Sequence, residues 1–134
     1  MIHSSSWWRL ETAGWAVDES ADSTAFSPGD APSDATLVVS AFRKEGEPIG
    51  DSELRELSTK GSPAAVPRVP VRCGDFSGYH AAYDADNAHW RVWWLASECT
   101  HVYATFNCTI PDAGKHDAAL DWMLSSLREV RDDA

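Results

Sequence analysis

The sequence predicts an α+β domain in which an antiparallel β-sheet is flanked by a C-terminal helix and a short middle helix. Three observations predict it. From Gly74 onward, aromatic and β-branched runs alternate with tight turn signals, as in a meander. The stretch Thr36-Leu37-Val38-Val39-Ser40-Ala41-Phe42 has the length and composition of an isolated strand. From about Lys115 to Arg131, Leu120, Met123, Leu124, Leu127 and Val130 recur at three- and four-residue intervals, the spacing of a helix with one apolar face.

Taken in chain order, Trp7 to Glu11 reads as a short aromatic strand, and Ala13-Gly14 as the turn of an N-terminal hairpin that returns through Trp15-Ala16-Val17. Ser23 to Ser27 can form another short strand. The stretch from Pro28 to Asp34 is a loop by composition. After a turn-rich connection, Asp51 can cap a helix that carries Leu54 and Leu57 and ends at Gly61. Pro70 confines Arg68 to Cys73 to an edge or irregular strand. Phe76 to Tyr83 then leads through the turn Asp84-Ala85-Asp86-Asn87 into His89 to Leu95. In that strand Trp90, Val92 and Trp94 share one face, and His89, Arg91, Trp93 and Leu95 the other, so both faces are covered. In the strand His101 to Cys108, Val102, Ala104, Phe106 and Cys108 make an apolar side. The predicted C-terminal helix turns Asp117, Asp121, Ser125, Arg128 and Asp132 outward, so it should lie half exposed on the sheet.

At 134 residues, with 43% hydrophobic and 24% charged residues, the chain 1–134 has room for one globular core and no second domain. No apolar run approaches the ~18 residues that span a bilayer, and the N-terminus lacks a signal-peptide pattern, so the expectation is a cytoplasmic protein with no membrane partner. Cys73, Cys99 and Cys108 are odd in number and lack metal spacing, which fits reduced, packed thiols; a Cys99–Cys108 disulfide is the alternative. The net charge is −10, and between Arg9 and Arg43 stand six acids with no Lys, Arg or His. Such a field repels phosphate backbones and attracts a basic protein.

Nucleophilic catalysis requires an activated Ser, Cys or Thr beside a base. Gly74-Asp75-Phe76-Ser77-Gly78 places its serine one position late for a nucleophile elbow, and glycine-shaped turns account for it. Cys99, Cys108 and His101 are near enough in sequence to form a thiol and base pair, against which stands the commoner arrangement of packed thiols and a surface His. The five histidines are scattered, Asp84-Ala85-Asp86-Asn87 lacks the later residues of a calcium loop, and no phosphate-cradling glycine loop occurs. No metal or cofactor is therefore expected. Of the seven tryptophans, Trp7, Trp8, Trp15, Trp90, Trp94 and Trp122 are core candidates. Trp93, sharing its face with His89 and Arg91, is the candidate exposed anchor for a partner.

The strand Trp90-Arg91-Val92-Trp93-Trp94-Leu95, the late Met123-Leu124-Ser125-Ser126-Leu127 and the order of elements resemble the PsbP-like α/β/α sandwich along nearly the whole chain. That resemblance implies a binding protein without chemistry of its own: an immunity-type protein that neutralises a bacterial toxin, or a chaperone for type VI secretion effectors. The acidic run favours immunity against a basic toxin, probed through Asp18, Glu19, Asp22, Asp84, Asp86, His89, Arg91 and Trp93. A small hydrolase built on Ser77 or Cys99 is the enzymatic alternative.

Overall fold

Period-two alternation of large apolar residues with polar ones builds most of this molecule, because each strand can then bury one side while pairing its backbone laterally. The structure is a computed structural model that describes residues 2–5, 7–28, 35–43, 50–61, 66–97 and 100–130. Among the described residues ten strands and two helices follow one another as β1 (Ile2–Ser4), β2 (Trp8–Glu11), β3 (Ala16–Glu19), β4 (Thr24–Ser27), β5 (Thr36–Arg43), α1 (Asp51–Gly61), β6 (Val69–Cys73), β7 (Phe76–Ala85), β8 (Ala88–Ser97), β9 (Thr100–Thr109), α2 (Asp117–Ser125) and β10 (Arg128–Glu129), with a 3-10 turn at Ile110–Asp112. Seven strands form one antiparallel sheet in the order β3-β4-β5-β9-β8-β7-β6, and β1-β2-β10 form a small second sheet.

The large sheet is covered on both faces, as the two-sided pattern of β8 predicts. One face carries Trp93, Leu95, Val102, Ala104 and Phe106, packed with Trp8 and Leu10 of β2 and with Leu120, Met123, Leu124 and Leu127. The other carries Ala81, Val92, Trp94 and Ala96 beneath Leu54 of α1. Helix α1 is pinned there by a triangle of polar contacts: Tyr79 Oη donates to Asp51 Oδ1 at 2.6 Å, and Arg55 Nε reaches Tyr79 Oη and Asp51 Oδ2, each at 2.9 Å. Asp51 is thus the first helical residue, tied to the sheet, while the Gly50 carbonyl accepts the first turn's bond from Leu54 N–H. The α+β class, with helices on both sides of an antiparallel sheet, is as the sequence predicts.

Four local expectations differ. The Ala13-Gly14 turn forms, with Trp15 N–H bonded to Thr12 O at 2.9 Å, but the strands around it join different sheets. The true N-terminal hairpin is β1–β2. Asp84 and Ala85 belong to β7, leaving a two-residue turn in which Asp86 and Asn87 both take left-handed φ, +53° and +62°. The C-terminal helix stops at Ser125, and the chain then runs as β10 antiparallel to β2. Trp122 is 60% exposed, because the apolar stripe of α2 runs through Leu120, Met123 and Leu124 instead. No helix among the described residues is long and apolar enough to cross a membrane. Cys99, Asp30, Asp34 and Asp132 lie outside the described residues, as does the Cys99–Cys108 pairing; Cys108 itself is a free, buried thiol.

Candidate binding edge and neighbouring polar sites

The residues singled out in the sequence fall into three separate places. Asp18, Glu19 and Asp22 come together at an edge of the large sheet that is unpaired among the described residues, on and just after β3, every residue of which is exposed. Asp18 and Glu19 point to opposite faces of the sheet by strand alternation. Asp22 stands in the β3–β4 turn, which is closed by Ser20 N–H to Ser23 O at 2.9 Å. On the α2 side of this edge a cleft of about 400 Å³ opens between the two sheets, lined among others by Ser5, Trp7, Trp8, Glu19, Asp22 and Ser40. His3 Nε2 lies 3.7 Å from Glu19 Oε1 at its margin.

Asp84 and Asp86 sit elsewhere, toward the other edge of the sheet and five strand spacings from β3, roughly 25 Å off by strand spacing and rise. Asp84 is already engaged, its Oδ1 lying 2.8 Å from His89 Nδ1. The structure does not unite the two acidic groups into one surface.

Arg91 and Trp93 form the third place, beneath α2. Trp93 is only 2% exposed, which overturns its reading as an exposed anchor. The cause is Arg91, whose polar character made the shared face look open. Its Nη1 and Nη2 reach Asp117 at 3.0 Å and Asp121 at 3.3 Å on α2, its Nε donates to His80 Nε2 at 3.1 Å, and the guanidinium lies 4.8 Å from the Trp93 ring centre. The arginine thereby fastens the helix over the tryptophan. Burial, then Arg91, pushes the His80 pKa down to about 4, which keeps the ring neutral and able to accept that bond. In the same recess burial raises the Cys73 thiol to about 11, so it stays protonated at neutral pH.

Of the hydrolase alternative, Cys99 lies outside the described residues, and Ser77 is not in reacting geometry with a described histidine. Ser77 lines a groove beside α1 with Asp51, Leu54 and Tyr79, and no histidine lines it among the described residues. His101 occupies the same cross-strand row as Ser77, but Ala96 stands between them, so two strand spacings, about 10 Å, separate their backbones. That exceeds the reach of a nucleophile and base pair. His101 is moreover buried, not on the surface as expected: it is 3% exposed, stacks on Phe42 at 4.6 Å, and is pushed down to about 4 by burial. Among the described residues no group of three or more His, Cys, Asp or Glu side chains is arranged to hold a metal.

The exposure of β3 had no distinct sequence signal, since Ala16 to Glu19 alternates no more clearly than a loop. Its acids did, through the absence of basic residues around them. No protein-family model and no curated protein matches this sequence. Among solved structures, the chain is similar to a crystal structure from Bacteroides thetaiotaomicron VPI-5482, with a TM-score of 0.69 and 15% identity over 96% of this chain. The present chain spans 47% of that one's length. At this identity the likeness is one of fold alone, an antiparallel α+β domain with 15% of its residues in common.

Proposed function

We propose that this chain is an immunity-type binding domain that captures a basic protein partner, a bacterial toxin, in the cytosol, and that it carries out no chemistry of its own. The observation that carries this reading is the convergence of Asp18, Glu19 and Asp22 on an exposed sheet edge beside a polar-lined cleft. Complementary charge accelerates encounter with a basic partner and gives it a preferred orientation. The resemblance to PsbP-like binding proteins supports the same class of function, and the Ser77–His101 separation is consistent with it.

Co-expression with the product of the neighbouring gene tests the reading. Rescue of growth and co-purification are expected, with an association rate that falls at least about tenfold between low and high salt. A toxic neighbour that is neither bound nor neutralised rejects it. The secretion-chaperone reading has its own support in the part of the α1-side sheet face that α1 leaves open, where Phe42 is 45% and Tyr103 37% exposed. It predicts capture of an apolar helix at a rate that salt leaves unchanged.

A further inference from the structure

The backbone of β3 carries more information than its side chains. In an antiparallel ladder, residues alternate between pairs that exchange both hydrogen bonds and pairs that turn their N–H and C=O groups outward. The Ser20–Ser23 bond fixes the phase of the β3–β4 ladder. Asp18, opposite Ala25, is the next hydrogen-bonded position, so Val17 and Glu19 direct their N–H and C=O groups away from β4 into the open edge. These are the docking points that an incoming strand uses.

The far edge of the same sheet is less open to such pairing. The two-residue turn at Gly74-Asp75 sets the phase there, and Pro70 falls on an outward position of β6, where it has no N–H to offer. One edge of the sheet is therefore blunted and the other is not. A second copy of this chain is a poor occupant for β3, because antiparallel self-pairing centred on Asp18 sets that carboxylate against its own copy, and like charges directly opposite are destabilising.

We propose that β3 accepts an extended, basic segment of the partner as an eighth, antiparallel strand; this rests on the reading of the acidic edge as the binding surface. The register specifies what the segment needs. The partner residue opposite Glu19 lies on the cleft side, and the next residue, opposite Asp18, lies on the other face. Both are Lys or Arg, each meeting a carboxylate, and the residue after them, opposite Val17, is β-branched. The first basic side chain extends over the cleft toward Glu19 and Asp22.

The test uses a synthetic seven-residue peptide containing adjacent Lys and Arg followed by Val, and a control with Glu at both basic positions. Amide exchange is followed residue by residue on the intact chain. The basic peptide should bind with Kd below about 1 mM and slow exchange at the Val17 and Glu19 amides by at least about tenfold, the control peptide doing neither. Val17→Pro removes an outward N–H that β4 does not use, so it should leave the thermal midpoint near its original value and weaken peptide binding at least about tenfold. Asp18→Lys with Glu19→Lys should also abolish binding. Loss on charge reversal with full binding by Val17→Pro overturns strand addition and leaves the acidic-edge reading standing; binding untouched by either set overturns both. Protection of Val17 and Glu19 without peptide, rising with protein concentration, assigns the edge to a second copy and overturns the proposal. If Val17→Pro fails to fold, the exchange pattern of the unaltered chain decides.

Discussion

Trp93 and His101 show how far a residue's surroundings can depart from what its strand neighbours imply. Both share a strand face with polar side chains, and both are buried, at 2% and 3% exposure. For Trp93 the covering element brings its own counter-charges, Asp117 and Asp121, which lie on the exposed side of α2 and were legible as such. What single-strand alternation cannot show is that they descend onto Arg91. His101 is less comfortable, since neither ring nitrogen has a hydrogen-bond partner among the described residues. Burial of an unpaired polar group costs about 1–3 kcal/mol, so His101→Phe should raise stability at pH 7 by an amount in that range, measured by urea unfolding. A lower midpoint for the variant would refute this. His80 and His101 also make a pH prediction. Each has a folded pKa of about 4 against an ordinary histidine value of 6.5, so the folded state holds both rings neutral while the unfolded chain takes up protons as pH falls. Their contribution to stability is complete above about pH 6.5 and is lost as pH falls toward 4, with a slope of up to ~1.4 kcal/mol per pH unit per histidine. His101→Phe should reduce that slope by about half.

At the scale of elements, the Gly74 to Gly78 stretch turns out to be governed by crowding. A side chain at Gly78 would collide with the Trp94 carbonyl, and one at Gly74, where φ is +60°, with the Leu127 carbonyl. The β6–β7 turn is held against the end of α2 by Asp75 N–H to Leu127 O and by Glu129 N–H to Asp75 Oδ2, both 3.0 Å. Gly78→Ala is therefore expected to destabilise by at least about 2 kcal/mol, since two backbones must separate to admit a methyl group. Near-unchanged thermal unfolding would show that the sheet yields there at little cost. The glycine turn was legible in the sequence; its packing partner was not, because Trp94 and Leu127 are distant in the chain. The end of α2 was misread for a related reason. Leu127 is fully buried and keeps the helical spacing, so periodicity runs on past the break. The break is made by Ser126, whose hydroxyl donates to Met123 O at 2.6 Å and accepts from Glu11 N–H at 2.7 Å. The second contact spans nearly the whole chain and leaves no local mark.

Across the whole molecule, the fold class and the two-sided burial of the sheet were readable because both follow from local periodicity. The division of the acids into separate clusters was not, because it depends on strand order. Asp18 and Glu19 belong to an edge strand while Asp84 belongs to an interior hairpin, and composition weighs them alike. The net charge of −10 acts on the molecule as a unit. Its self-repulsion is screened by salt, so raising ionic strength from about 0.05 to 0.5 M should stabilise the fold by ~1 kcal/mol, a rise of a few degrees in Tm. A flat or falling midpoint would mean that local ion pairs such as Arg91 with Asp117 outweigh the global term.

The small sheet sets the order in which the protein can be completed. β2, near residue 8, lies between β1 and β10, and β10 comes only at Arg128–Glu129. Val130 N–H also donates to Trp7 O at 2.9 Å. During synthesis, Trp8 and Leu10 therefore lack one side of their support until some 120 further residues have emerged from the ribosome, and closing so long a loop is slow. One of the earliest strands to be made is thus among the last to be fully paired.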